Sequence, residues 1–177
     1  MSKKRVGIAS GLRPSKNLSA PAMVFIQKIL VPVDFTEASL AAASHAASLA
    51  RVHNARLYVL HVKEPFPLHG RIVAGSLEDV QKKQFKKAQR ELAAVIPADL
   101  KNSIVVEEIQ LTGFPIYRVI VETARRFSVD VIVMVSKEGK GWTRVFKNNT
   151  TARVMRDAPC SVFLVKGLCN QILSAVK

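Results

Sequence analysis

Asp34 is the first residue of the chain whose type and setting suggest chemistry. It follows the apolar run Lys28–Val33 and precedes Thr36, a hydroxyl residue at a helix cap position. That places a carboxylate at the carboxyl end of an expected strand, the edge where open parallel sheets bind ligands. The end of the next apolar run, His61-Val62, falls on the same edge. Asp34 either caps the following helix or contacts a ligand, and one carboxylate can do both. Four histidines, His45, His53, His61 and His69, recur every eight residues. Their expected positions on helix, turn, strand and loop do not converge on one metal. Cys160 and Cys169 have neither metal spacing nor a disulfide framework, and Cys160, just ahead of an apolar strand, reads as an inert core thiol. Trp142, between Gly141 and Thr143, stands ready to stack on a base or pack on a partner. No nucleophile with an orienting base and no paired carboxylates are visible, so catalysis is not expected.

The elements that must position these residues follow from hydrophobic period. Gln27–Pro65 reads as a strand, helix, strand unit. Lys28–Val33 is apolar without alternation, as a strand covered on both faces must be. The helix from Thr36 to Arg51 is rich in alanine, suited to close packing on a sheet, and His53-Asn54 ends it. Leu57–Val62 is the second strand, joined by a right-handed parallel crossover. Phe66–Gly75 reads as a loop over the ligand edge. Ser76 is expected to cap a helix through Val95, with Leu77, Val80, Phe85, Ala88, Leu92 and Val95 inward and lysines opposite. Ile104–Leu111 is the third strand, and Thr112–Pro115 turns into the helix Ile116–Phe127, with Val119, Ile120 and Ala124 inward. Asp130–Val135, Arg144–Asp157 and Ser161–Lys166 complete the alternation as strand, helix and strand. The fold expected is α/β: a single-domain, open five-stranded parallel sheet with helices on both faces, Rossmann-like.

Residues 1–22 mix Gly, Ser, Pro and Lys without period and read as a flexible basic tail. The domain spans 23–166, and 167–177 forms a C-terminal tail with Leu168, Ile172, Leu173 and Val176 in helical spacing. Met23 is where a domain of this type would be expected to begin. No apolar stretch approaches the roughly 20 residues that span a bilayer, and the two cysteines fit a reduced cytoplasm. The net charge is +14 in 177 residues. It concentrates in the N-terminal tail, in Lys82, Lys83, Lys86, Lys87 and Arg90, and in Lys137, Lys140, Arg144, Lys147, Arg153 and Arg156. Such a surface either attracts polyanions weakly or is simply solvated. No recognised nucleic-acid motif accompanies it.

The opening ILVPVDFTEAS, the close LHVKEP and the later stretch Asp130–Val165 with its Ala158-Pro159-Cys160 tripeptide resemble the universal stress protein family over roughly Gln27–Lys166. The resemblance implies a cytoplasmic stress-response module that pairs as a homodimer through its last strand, with Val162 and Leu164 as contacts. It also implies a site for ATP or AMP, in which Pro32, Asp34 and Val62 match positions touching base and ribose. The family's phosphate loop is G-x-x-G, nine residues, then G-S or G-T, since backbone amides must approach phosphate oxygens closely. Read without gaps, those four roles fall on Val135, Glu138, Asn148 and Asn149, and all four depart from the pattern. Glu138 adds like-charge repulsion. A shift by one residue sets Ser136, Gly139, Asn149 and Thr150 in these roles but needs an insertion and a compensating deletion. The gapless reading is preferred because both flanking elements fit it. Lys137, Lys140, Arg144 and Lys147 remain available to supply phosphate charge by side chains. The expectation is therefore an interaction or binding module without an intact ATP site, or else an ATP or AMP binder with a variant loop.

Overall fold

The computed structural model describes residues 25–65, 74–136 and 150–166. The expected tails at 1–22 and 167–177 lie outside the described residues, as does the loop at 66–73. In chain order the elements are β1 (Lys28–Pro32), α1 (Glu37–His53), β2 (Arg56–Lys63), α2 (Ala74–Val95) and α3 (Ala98–Lys101). There follow β3 (Val106–Thr112), α4 (Ile116–Phe127), β4 (Val131–Ser136), α5 (Thr150–Asp157) and β5 (Ser161–Lys166). The five strands are parallel in the order β3-β2-β1-β4-β5. The fold expected from periodicity is the fold observed.

Two cores sandwich the sheet. On one face α1 presents Ala42, Ala43, Ala46, Ala47 and Ala50, all without exposed surface, to Ile29, Val31, Val59 and Val133. Small side chains let that helix lie close to the central strands. On the other face α4 and α5 contribute Ile120, Val121, Ala124 and Val154 to a core with Leu30, Tyr58, Leu60 and Ile132. Fully burying one such aliphatic side chain contributes roughly 1.5–3 kcal/mol.

Helix ends follow local chemistry. Thr36 caps α1, its hydroxyl accepting from the Ser39 N–H, and Asn54 ends it in the left-handed region at φ 51°. Ser128 ends α4 the same way, at φ 51°. Asp130 Oδ2 accepts from the Gln27 and Lys28 N–H groups at 2.8 and 2.9 Å, so one carboxylate ties the start of β1 to the start of β4.

The main departures concern α2 and its surroundings. The helix begins at Ala74, so Ser76 lies inside it rather than at its cap. Phe85, expected inward, is 51% exposed, whereas Ala88, Leu92 and Val95 are buried. The helical phase is right, since Phe85, Ala88, Leu92 and Val95 share a face, but among these burial begins only at Ala88. The side chains of Leu77 and Val80 lie outside the described residues. The short α3 has no periodic signal and was not anticipated.

Candidate functional site

The carboxyl end of β1 is a turn built from side-chain hydrogen bonds. The Val33 N–H donates to the Leu60 carbonyl at 2.8 Å, the last backbone bond toward β2 at this end. Asp34 is exposed, and its Oδ1 accepts from both the Thr36 N–H (3.2 Å) and the Thr36 hydroxyl (2.5 Å). The Thr36 hydroxyl in turn accepts from the Ser39 N–H at 3.3 Å, while the Ser39 hydroxyl donates to the Thr36 carbonyl at 2.9 Å. Asp34 therefore braces the cap residue and is not itself the cap. Between them Phe35 takes φ 60°, a left-handed conformation rare for a non-glycine residue. Its ring lies 4.5 Å from that of His61. His61 Nδ1 is 2.9 Å from the Val33 carbonyl, and because a carbonyl only accepts, Nδ1 carries the proton.

Val62 enters the same space through its backbone. Along β2 the peptide groups alternate sides: Leu57 N–H and Lys63 C=O bond on the β3 side, whereas Arg56 N–H and Leu60 C=O bond on the β1 side. The alternation directs the N–H and C=O of Val62 toward β1, beyond the residue where β1 ends. The Val62 side chain is buried in the core under α4. Pro32, half-buried, is the last residue of β1. The sheet order reverses at β1, whose neighbours are β2 and β4, so this is the switch point where an open sheet leaves a crevice.

On the far side of that crevice stand the last residue of β4, Ser136, and the first of α5, Thr150, both half-buried. The Thr151 hydroxyl donates to the Val135 carbonyl at 3.4 Å, tying the two ends together. Of the residues expected to meet phosphate, Val135, Ser136 and Thr150 are described. Gly139, Asn149, Glu138 and Asn148 lie outside the described residues, as do Lys137, Lys140, Arg144, Lys147 and Trp142. The structure thus brings Pro32, Asp34, Val62, Ser136 and Thr150 to one edge.

This strand order and helix placement recur in known proteins. The family model for universal stress proteins matches residues 26–166. The chain belongs to the universal stress protein family. A universal stress protein of Methanocaldococcus jannaschii is 30% identical over 140 residues, covering 79% of this chain and 82% of that relative. A solved universal stress protein in complex with cAMP has a TM-score of 0.63 at 22% identity, covering 82% of this chain and 100% of its own. One from Archaeoglobus fulgidus in complex with dAMP gives 0.57 at 20%, covering 81% and 100%. At those identities the likeness carries the fold.

Within this universal stress protein, sequence reasoning missed several supports. Asp130 was read only as a strand start, and Thr151 was not singled out. Phe35 carries no sequence signal for its positive φ; in the structure it lies inside the turn closed by Asp34 Oδ1 and the Thr36 N–H, with its ring against His61. Cys160 is half-buried rather than sealed, and burial pushes its thiol above the usual range, with the nearby Asp130 charge adding to the effect. Among the described residues no group of three or more His, Cys, Asp or Glu is placed to hold a metal. His45 and His53 are exposed on α1, His61 is on β2, and His69 lies outside the described residues. No helix among the described residues is long and apolar enough to cross a membrane. Lys82, Lys83, Lys86, Lys87 and Arg90 are all exposed on α2.

Proposed function

We propose that this universal stress protein is a stress-response binding module for AMP-type ligands, which engages base and ribose at the end of β1 and holds further phosphates weakly. The observation that carries the reading is the convergence at the switch point of the braced Asp34 carboxylate and the backbone groups of Val62. A carboxylate accepts from sugar hydroxyls, and a strand's own N–H and C=O can read the edge of a base. The solved relatives with cAMP and dAMP support the ligand class. The departures at Val135, Glu138, Asn148 and Asn149 support weak handling of a triphosphate, with Ser136, Gly139, Asn149 and Thr150 as the alternative phosphate residues. Calorimetric titration of the full chain with AMP, cAMP and ATP tests this. The expected dissociation constants are tens of micromolar or weaker, about −6 kcal/mol. Sub-micromolar ATP binding overturns the weak phosphate half, and the absence of any heat with AMP and cAMP at millimolar concentration overturns the ligand class.

The same reading includes a cytoplasmic homodimer joined along β5. Among the described residues β5 pairs only with β4, which leaves its outer edge as a template for another strand. Val162 and Leu164 pack against their own core, while Phe163 on the opposite face is 48% exposed and is the larger apolar surface to cover. Sedimentation equilibrium at micromolar concentration is expected to give twice the chain mass; a stable monomer overturns it.

A further inference from the structure

On the sheet face opposite α1, the helices α4 and α5 flank an open surface cleft of about 440 Å³, within the roughly 300–1,000 Å³ range of small-ligand sites. Its chemistry is unlike that of the β1 crevice. Arg118, Arg125 and Arg156 line it together with Tyr117, Glu122 and Asp157. Much of the acidic charge is already engaged. Asp157 accepts from Arg156 at 2.8 and 3.2 Å, and the Arg156 guanidinium holds that carboxylate below the ordinary range. Arg125 donates to the Asp157 carbonyl at 3.2 Å, which fixes one end of the cleft.

The tyrosine is turned into a donor. Arg118 Nε donates to the Tyr117 hydroxyl oxygen at 3.2 Å, so the hydroxyl proton points elsewhere. The Arg153 guanidinium lies 5.1 Å from the centroid of the same ring. Three lining guanidinia stand against two carboxylates. A guanidinium is a planar fork of donors with no acceptor, a shape that matches oxyanions. Arg156 already gives Nε and Nη2 to Asp157, Arg125 gives Nη2 to the Asp157 carbonyl and Arg118 gives Nε to Tyr117, so each offers its charge and its remaining N–H groups.

We propose that this cleft binds a phosphoryl oxyanion, held by Arg118, Arg125 and Arg156 with the Tyr117 hydroxyl as an additional donor. The oxyanion is supplied either as free phosphate or as the phosphate of a small metabolite. Glu122 opposes it by charge and sets an upper limit on affinity. The site is distinct from the nucleotide reading: it uses Arg156 and Asp157 at the carboxyl end of α5 with the outer side of α4, whereas the nucleotide reading uses Thr150 at the amino end of α5 and the carboxyl edge of the sheet.

The test is an NMR titration of the full chain at low salt, following the Nε–H signals of Arg118, Arg125 and Arg156. Inorganic phosphate and ribose 5-phosphate are added separately. A saturable response half-complete at about 1 mM or below is expected with at least one probe. Phosphate alone sufficing identifies a free oxyanion, and tighter ribose 5-phosphate identifies a phosphorylated metabolite. The double variant Arg125→Gln, Arg156→Gln is expected to weaken binding roughly tenfold or more. Glu122→Gln is expected to strengthen it several-fold, which damage to the fold does not do. No saturable response to either probe, an unchanged affinity in the double variant, or weaker binding in Glu122→Gln overturns the proposal.

Discussion

Two connections meet at the carboxyl edge of the sheet, β1 into α1 and β4 into α5, and they are secured in different ways. The first takes two residues beyond Val33 to reach its cap, and its conformation is set by Asp34, Thr36 and Ser39 bonding to one another and to the backbone. In the second, the Thr151 hydroxyl at the helix start donates to the Val135 carbonyl at the strand end over a long 3.4 Å. In the proposed reading this difference divides specificity over a bipartite ligand: the short, braced turn offers a fixed carboxylate to the sugar end, and the phosphate end relies on positions where the gapless alignment with the family's loop puts larger side chains in place of glycine.

The sharpest test removes the carboxylate. Asp34→Ala deletes both the proposed acceptor and the brace on Thr36. AMP affinity is expected to fall roughly tenfold or more, since a hydrogen bond to a charged group contributes about 1.5–3 kcal/mol. Stability is expected to fall by about 1 kcal/mol through the lost bonds to Thr36. Calorimetry and a thermal melt separate the two effects. Unchanged AMP binding with lowered stability leaves Asp34 a purely structural residue.

The sequence revealed much of this edge but not its rigidity. Apolar runs and an alanine-rich helix located β1, α1 and β2, because period and propensity are local properties. Asp34 and Val62 were visible as strand-end residues matching a family pattern. The stacking of Phe35 on His61 and the bridge from Asp130 to the start of β1 were not visible, since each joins residues far apart in the chain. The bonding side of Val62 follows from the ladder register, which a single strand's sequence does not encode. Phe85 is a related case: its helical phase is written in the sequence, but whether another element covers that turn of the helix is not.

The second test alters the phosphate end. Glu138→Gly combined with Asn148→Gly restores two glycines of the gapless alignment and removes one negative charge. Backbone amides and charge both favour the longer phosphate chain, so ATP affinity is expected to rise about five- to tenfold while AMP changes little. An unchanged ratio of ATP to AMP affinity argues against the gapless alignment and shifts attention to Ser136, Gly139, Asn149 and Thr150.

The smallest expected effect compares the two ties themselves. Thr36→Ala removes a helix cap, which costs about 1 kcal/mol, and also leaves Asp34 Oδ1 without the bond from the Thr36 hydroxyl. In a domain of this size that corresponds to a fall of about 2–4 °C in melting temperature. Thr151→Val keeps the shape of a buried side chain and loses the bond to the Val135 carbonyl, which is close to the limit of useful geometry and contributes a few tenths of a kcal/mol. Matched thermal melts of the two variants measure the contrast. If Thr151→Val costs as much as Thr36→Ala, the β4–α5 junction is held as firmly as the β1–α1 turn. A weak triphosphate site then has to be attributed to the side chains at the lost glycine positions alone, not to a loosely tied junction.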